Sequence, residues 1–389
     1  MSRRAKGEGS IYFLESKNCY TSVLQIGITK EGKRKRKYFY GKTKKEVKKK
    51  MDDYKLLNPI SGGKINEFTV SEWFKYWLFN IKKRDIKPKS FERYESLYRN
   101  YIEGSEIGNI PLYKLKLNNL QVYYNRLLDE GKSPQTIIQI NTKLKTCLTE
   151  AERSGYIEKN YCKLIVLPKV KKENKKEVFT QEEQKQFIEM IKGDSMEVLF
   201  LVAIGTGLRI GELLGLKWSD IDFNKRVLTV NRALQKGYIF NDEGKKQLQT
   251  TLNEPKTINA FRDVPIPTNI FSRLEEYKIN QDDVKKSNKL AYKDNDFIFC
   301  NDIGKPLDLK QPPRRFKKIQ TNMGIPKDEQ IKFHGLRKTY ATRLFENRIP
   351  PKTVQTLMGH SSIDITLDIY TQVMEKEKLK AIDKIDSIF

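Results

Sequence analysis

Short runs of β-forming residues open the chain and are followed by a helical pattern. The runs cover 10–14, 20–28 and 35–41, and turn-prone sequence such as Lys30-Glu31-Gly32-Lys33 separates them. A Thr43-x-x-Glu46 capping box then begins a helix that extends to about Leu57. The pattern predicts a three-stranded sheet backed by one helix.

Between about residue 65 and residue 170, apolar and aromatic residues recur at helical spacing and predict four helices. The first follows a Thr69-x-x-Glu72 capping box, and the fourth has Pro134 in its first helical position. We interpret the aromatic residues of these helices as core rather than as platforms for base stacking. The predicted helices begin at Thr69, Ser90, Leu117 and Ser133, and the last two end near Glu130 and Ser154.

Two polar stretches divide the chain into three predicted domains. Asn58–Lys64 contains Pro, Ser and paired Gly, whereas Lys169–Lys176 contains five lysines and no apolar period. The second stretch either crosses a phosphate backbone or simply stays solvated. The predicted domains are residues 1–64, 65–170 and 178–389.

The predicted fold class is multidomain α+β. A small three-stranded sheet plus a helix comes first, and a four-helix domain follows. The last domain begins near a third capping box at Thr180 and is mainly helical. Its small β-sheet is predicted around Val227–Asn231 and Arg262–Pro267.

Composition narrows the choice of partner. The 389 residues carry a formal net charge of +26, which opposes folding unless the partner is a polyanion, so nucleic acid is the leading candidate. An anionic membrane is the competitor, but no apolar run is long enough to span one and no signal peptide is visible, so we expect a cytoplasmic protein. The four cysteines lack zinc-site spacing, and we expect no metal and no other cofactor.

The positive charge is concentrated at the amino terminus. Residues 1–64 hold 18 Lys and Arg against 6 Asp and Glu, which accounts for +12 of the total charge. Aromatic residues interleave with these cations, as in a groove-reading sheet, although a basic tail that adds only nonspecific affinity is the alternative. Cations of the four-helix domain would suit backbone phosphates. The DNA-binding candidates are Arg34, Arg36, Lys37, Lys87, Lys89, Arg93, Lys143 and Lys145.

Both histidines of the chain, His334 and His360, fall in one short stretch with an arginine and a tyrosine. Arg337 is three residues after His334, so the two share a helix face. His360 follows Gly359, a helix stop, and we expect its ring to project from a loop. Tyr370 is in a further helical segment. By themselves the histidines could be a metal pair, but this grouping favours a phosphate site.

Two upstream cations complete the candidate site. Arg209 follows a glycine-rich turn and precedes Glu212 by three residues, so the carboxylate can fix the orientation of the guanidinium for bidentate phosphate binding. A surface salt bridge is the simpler explanation of that pair. Lys256 is in a turn between β-rich segments. It is a candidate site residue only if a hairpin places it in the same cleft as the other candidates.

In order and spacing, these residues resemble the tyrosine site-specific recombinases, or phage integrase family. The matching segments are Thr206-Gly-Leu-Arg209-Ile-Gly-Glu212, Pro255-Lys256-Thr257, His334-Gly-Leu-Arg337, Leu357-Met-Gly-His360 and Tyr370. The resemblance covers the last domain throughout. It extends to the family's core-site-binding domain and to the arm-site-binding domain of integrases from temperate phages and conjugative transposons of Gram-positive bacteria. Lys338 and Gln372 replace histidines that are frequent in relatives, but neither belongs to the catalytic set.

The resemblance implies a role for each residue. Arg209 and Arg337 clamp the phosphate with support from His360, and Tyr370 is the nucleophile that forms a 3′-phosphotyrosyl link. His334 is the base or an orienting partner, Lys256 is the general acid, and Glu212 positions its neighbours. The resemblance further implies integration and excision of a mobile element by a homotetramer on core and arm DNA sites. A host DNA-bending protein and an excision factor would be additional partners.

Other functions share parts of this pattern. A type IB topoisomerase would use the same residue types without a separate arm-site domain, and a DNA-binding regulator would need none of the catalytic set. The final segment, Glu375–Phe389, either docks on a neighbouring subunit or packs within its own chain.

Overall fold

The computed structural model divides the chain into two units, Met1–Lys171 and Lys172–Phe389. The predicted boundary near residue 64 lies within the first unit and outside the described residues, so the three-domain division stays a prediction. The structure describes residues 10–28, 34–57, 68–170, 176–240, 246–254, 260–371 and 373–374.

The amino-terminal part is the predicted sheet and helix. Strands β1 (Ser10–Leu14), β2 (Cys19–Ile28) and β3 (Arg34–Gly41) pair antiparallel in the order β1-β2-β3, and helix α1 (Lys44–Leu57) follows. Glu46 caps this helix by accepting a hydrogen bond from the backbone of Lys42 at 2.9 Å. Val47 and Met51 of α1 pack with Phe39 of β3 in a small core.

Four helices follow, as the periodicity predicted. They are α2 (Val70–Tyr76), α3 (Pro88–Leu97), α4 (Leu117–Asp129) and α5 (Pro134–Arg153). The second begins at Pro88 rather than Ser90, because proline is well suited to the first helical position. Helices α2 and α3 each continue into a π-helical turn. Trp73 and Phe74 are buried, which agrees with their interpretation as core.

The second unit is mainly helical around an aromatic core. Phe187, Phe200, Phe316 and Phe333 are all buried there, and their rings contact one another. A further helical segment, 364–371, follows the last complete helix and is called the tyrosine helix below. The complete helices are α6 (Gln181–Met190), α7 (Glu197–Thr206), α8 (Ile210–Leu214), α9 (Thr268–Ser287), α10 (Gln311–Asn322), α11 (His334–Glu346) and α12 (Pro351–Met358).

The predicted small sheet is present in this unit, together with a long hairpin. The sheet has the antiparallel order β4-β5-β8, and its register places Val230 of β5 opposite Arg262 of β8. The hairpin consists of β6 and β7. The strands are β4 (Ile221–Asp222), β5 (Val227–Val230), β6 (Ala233–Phe240), β7 (Lys246–Asn253) and β8 (Arg262–Pro265).

All four cysteines are free thiols, and two of them, Cys147 and Cys162, are buried. Burial raises the pKa of the Cys162 thiol to about 12, so this thiol stays protonated and unreactive at neutral pH. Within the described part of the chain, no helix combines the length and the apolar character that crossing a membrane requires.

Candidate active site

Arg337 is a buried arginine at the centre of the candidate site. It lies in α11, whose apolar residues Leu336 and Phe345 are buried, and only 2% of Arg337 is exposed. Its Nη1 donates a hydrogen bond to the carbonyl oxygen of Gly207 at 2.6 Å, and its Nη2 donates to the carbonyl oxygen of Met358. Arg337 therefore joins the C-terminal ends of α7 and α12.

Glycines end both of those helices in the left-handed conformation. Gly207 caps α7 with φ 64°, and Gly359 caps α12 with φ 60°. A Cβ atom on Gly207 would approach the ring of Tyr340 to 2.5 Å, so any larger residue would force this ring to shift. The caps leave carbonyl groups at the helix ends without helical partners, and the arginines bind to these groups.

Arg209 is held by a carboxylate that is itself buried. Its Nη1 donates to Oε1 of Glu212 at 2.7 Å, and its backbone N–H donates to Oε2 of the same carboxylate at 3.0 Å. Nη2 of Arg209 is 3.4 Å from the carbonyl oxygen of Gly359. The Arg209 side chain is 40% exposed, so it can meet a ligand. The surface salt bridge considered from the sequence is thus a half-buried pair.

Glu212 also binds a second arginine, which is not among the predicted site residues. Nη2 of Arg262 donates to Glu212 Oε2 at 2.8 Å, and both side chains are buried. Burial opposes ionisation of Glu212, but the hydrogen bond and charge of Arg262, together with Arg209, outweigh it and lower the pKa to about 2. The only sequence signal for Arg262 was its place in the predicted β-segment Arg262–Pro267.

Three consecutive carbonyl groups at the end of α12 each accept a hydrogen bond from a different arginine. This helix begins at Pro351 and is capped by Gly359, as is typical of proline and glycine at opposite helix ends. The carbonyl end of a helix carries partial negative charge and attracts cations. The pairs are Arg262 with Leu357, Arg337 with Met358 and Arg209 with Gly359.

His360 follows this helix end directly and is buried, with 6% exposure. His360 lies in the loop after the helix, as expected, but its ring is buried there, and its Nδ1 is 2.9 Å from the hydroxyl of buried Thr366. Burial, followed by the charges of Arg337 and Arg209, lowers the pKa of His360 to about 4. The ring is therefore neutral at pH 7 and acts as a hydrogen-bonding group.

His334 is the first residue of α11 and is exposed at the surface. Desolvation by the surrounding protein and the positive charges of Arg337, Lys338 and Arg209 lower the pKa of this histidine. The neutral ring is thus favoured near pH 7, and one of its nitrogen atoms can accept a proton.

The structure does not bring Tyr370 into contact with the arginines. Its ring is half-buried and meets the ring of Phe345 edge-on, with centroids 5.2 Å apart. Among the described residues, its hydroxyl makes no hydrogen bond. A cavity of about 310 Å³ lies beside it, lined in part by Arg348, Pro351 and Met374.

The other predicted catalytic residue, Lys256, lies outside the described residues. The flanking strands end at Asn253 and begin at Arg262. The structure therefore gathers Arg209, Glu212, Arg337 and His360 by direct contact or charge, with His334 within their electrostatic influence.

The cations predicted to bind DNA in the helical part are at or near the surface. Lys143 Nζ lies 4.3 Å from the centre of the Tyr94 ring. Burial and the nearby charges of Arg93 and Lys82 lower the pKa of Lys143, which marks a local excess of positive charge. Lys89 is already paired with Glu92 at 2.9 Å. The exposed members of the predicted set are Lys87, Arg93 and Lys145.

The predicted cations of the amino-terminal sheet are on β3. Arg36 and Lys37 are exposed, and Lys37 Nζ lies 4.0 Å from the centre of the Tyr54 ring. The backbone of Arg34 belongs to β3, but its side chain lies outside the described residues. This strand thus presents at least two cations to solvent.

Two protein-family models match the chain. The model for the phage integrase family matches residues 177–377, which is more than half of the chain and includes every predicted catalytic residue. The model for the phage integrase N-terminal SAM-like domain matches residues 69–128. The chain belongs to the phage integrase family. It is a tyrosine recombinase, an enzyme that breaks and rejoins DNA in site-specific recombination, and the resemblance found in the sequence is confirmed.

Relatives of this integrase family are similar over most of the chain. A "Tyrosine recombinase XerC-like" protein of Caldanaerobacter subterraneus is 40% identical, over 97% of this chain and 98% of that protein. The "ICEBs1 integrase" of Bacillus subtilis is 24% identical, over 78% of this chain and 79% of that protein.

Solved integrase structures share the fold. A fragment of the Tn1549 transposon integrase in complex with a circular intermediate DNA matches with a TM-score of 0.64 and 25% identity, over 80% of this chain and 99% of that chain. A lambda integrase tetramer bound to a Holliday junction matches with a TM-score of 0.57 and 20% identity, over 94% of this chain and 96% of that chain. The predicted α+β fold class is confirmed.

Proposed function

We propose that Arg209 and Arg337 clamp the scissile phosphate of a DNA strand and that His360 adds a hydrogen bond to it. The observation that carries this proposal is the anchoring of both guanidinium groups on the end of α12, immediately before His360. Carbonyl acceptors use only some of the N–H groups of each arginine, and the others are free to bind phosphate oxygens.

The charge of the site suits a phosphodiester. Arg209, Arg262 and Arg337 with Glu212 leave a net charge of +2 in a largely buried region. A phosphate under attack accumulates negative charge on its nonbridging oxygens, and fixed cations stabilise that charge most strongly where water is excluded. Guanidinium groups then supply the electrostatic stabilisation for which other phosphoryl-transfer enzymes use magnesium.

Tyr370 is the nucleophile in this proposal. Its oxygen forms a bond to phosphorus, the bond from phosphorus to the 5′-oxygen breaks, and a 3′-phosphotyrosyl link results. His334 accepts the phenolic proton or orients its transfer, and Lys256 donates a proton to the leaving 5′-oxygen. In this proposal the tyrosine helix presents the Tyr370 hydroxyl to the phosphate that the arginines hold.

Strand exchange follows from the covalent link. The energy of the broken phosphodiester is kept in the phosphotyrosine, so the 5′-hydroxyl of another strand can attack it without ATP. Two duplexes must meet for this exchange, and we assign a homotetramer to the active complex. The relatives named as integrases support integration and excision of a mobile element as the biological outcome.

The proposed DNA contacts divide between two parts of the chain. Residues 65–170 bind the core site through the cations around Lys143, and residues 1–64 bind a separate arm site through β3. Residues 178–389 carry the catalysis. The proposed location is the cytoplasm, where the chromosome is accessible. The proposed additional partners are a host DNA-bending protein and an excision factor.

A recombination assay tests this function. Two plasmid-borne sites from the ends of the element that encodes the chain are incubated with the protein, without ATP and with EDTA. We expect recombinant products. Relaxation of a supercoiled plasmid without paired sites, and without recombinants, would instead support the type IB topoisomerase, and binding without any strand breakage would support a DNA-binding regulator.

A further inference from the structure

Arg262 contacts two of the elements that form the proposed clamp. It is the first residue of β8, where it lies opposite Val230, and its side chain is 3% exposed. Nη2 donates to Glu212 at 2.8 Å, Nε donates to the carbonyl oxygen of Leu357 at 2.8 Å, and Nη1 donates to the carbonyl oxygen of Ala260 at 3.1 Å. Each nitrogen of the guanidinium thus has a protein acceptor.

The hydrogen bonds of Arg262 distinguish it from the two clamp arginines. All three of its guanidinium nitrogens donate to protein acceptors, whereas the Nε atoms of Arg209 and Arg337 have no acceptor among the described residues. A direct contact between Arg262 and DNA would require breaking buried hydrogen bonds, each of which contributes to stability. Its effect on the reaction must therefore pass through the groups that it holds.

We infer that Arg262 is a positioning residue of the recombinase, which holds Glu212 and the end of α12 so that Arg209 and His360 face the same phosphate. This inference rests on the proposed roles of Arg209 and His360. Glu212 accepts from the guanidinium of Arg209 at Oε1 and from that of Arg262 at Oε2. Leu357, which Arg262 also contacts, is three residues before His360. Arg262 thus connects the carboxylate that holds Arg209 with the helix end that precedes His360.

Charge gives Arg262 a second effect. A buried carboxylate needs a cationic partner, and without Arg262 the charge of Glu212 would be balanced by Arg209 alone. The net charge at the site would fall from +2 to +1, so a phosphate would meet a weaker positive field. A defect that arises in this way depends on the negative charge of the scissile phosphate, whereas a folding defect does not.

The test compares Arg262→Gln and Arg262→Lys in the full chain. The readout is single-turnover formation of the covalent adduct on a nicked duplex that carries the core site located by footprinting. We expect Arg262→Gln to slow adduct formation by about 10²-fold with unchanged DNA affinity, as for loss of one transition-state contact. Arg262→Lys should recover part of the rate because it keeps the charge.

Two further measurements distinguish positioning from folding. On a duplex whose scissile phosphate is a neutral methylphosphonate, the defect of Arg262→Gln should shrink to a few-fold. In an Arg209→Ala background, Arg262→Gln should slow the reaction by clearly less than about 10²-fold, because only its effects on His360 and on the charge of the site remain. Arg315→Gln is the matched control, since it strips buried Asp194 of its arginine at a place without contact to the clamp.

These experiments distinguish a failure of the proposed function from a failure of the positioning role of Arg262. If the unmodified chain forms no adduct, the proposed function itself fails. If it does form one, then a normal rate for Arg262→Gln, or an equal defect on both phosphates, overturns the positioning role while the proposed function stands.

Discussion

The guanidinium of Arg337 donates a hydrogen bond to the carbonyl oxygen of Gly207 at 2.6 Å across a separation of 130 residues. The bond depends on the left-handed conformation of Gly207, because that conformation ends α7 and leaves the carbonyl group without a helical partner. The turn at Gly207 therefore helps to orient Arg337, which belongs to a distant motif of the sequence.

Replacing Gly207 by alanine should destabilise the second unit and slow DNA cleavage. Alanine is strained at φ 64°, and its methyl group would approach the Tyr340 ring to 2.5 Å. We expect a loss of about 3 kcal/mol from strain and overpacking together. Gly324→Ala is the control, because φ is 77° there but nothing lies within 4 Å. It should lose about 1 kcal/mol. Denaturant unfolding measures both, and equal losses would refute the steric argument.

Replacing Arg337 by alanine should slow cleavage by about 10²-fold or more while site binding persists, as for removal of one transition-state donor. Arg337→Lys should remain slow as well, since an ammonium group cannot reproduce the planar fork that bonds carbonyls and phosphate together. Single-turnover cleavage and a DNA-binding titration check this expectation. An equal loss of binding would mark Arg337 as structural.

The buried state of His360 predicts a pH dependence of stability. Its pKa is lowered to about 4 in the folded chain, from an ordinary value of 6.5, so the unfolded chain binds the proton more readily. The stability contribution is complete above pH 6.5 and is lost as the pH falls towards 4. His360→Asn should therefore lose less unfolding free energy than the unmodified chain between pH 7 and pH 5. The check is denaturant unfolding of both proteins across this pH range. If their unfolding free energies fell in parallel with pH, the lowered pKa of buried His360 would be contradicted.

Removing residues 1–64 should abolish protection of arm sites in footprinting and leave core-site protection intact. The full chain with Arg36→Gln and Lys37→Gln offers a second test without deletion, since both cations are exposed on β3. This variant should weaken arm protection and the salt dependence of arm binding, because fewer counterions are released. Unchanged arm footprints in both proteins would remove the arm-site assignment.

Local signals in the sequence were sufficient for the amino-terminal sheet and helix, for the four helices that follow and for the family. The capping boxes at Thr69 and Thr180 mark the starts of α2 and α6, and Gly359 ends α12 as expected. Each of these signals acts within a few residues, so it is visible without the fold.

The contacts between distant segments could not be predicted in the same way. Arg262 appeared only as part of a strand, yet 50 residues separate it from Glu212 and 95 from Leu357, and only the folded chain brings them together. The burial of His360 likewise depends on Thr366, whose hydroxyl gave no sequence signal.

Covalent trapping of Tyr370 tests the central claim most directly. The full chain is incubated with a nicked duplex that carries its core site, so that the cleaved strand loses the fragment with the attacking 5′-hydroxyl and cannot be rejoined. We predict a covalent protein–DNA adduct through the 3′-phosphate for the unmodified chain and none for Tyr370→Phe. The absence of an adduct with the unmodified chain, or an adduct that persists in Tyr370→Phe, would contradict the account.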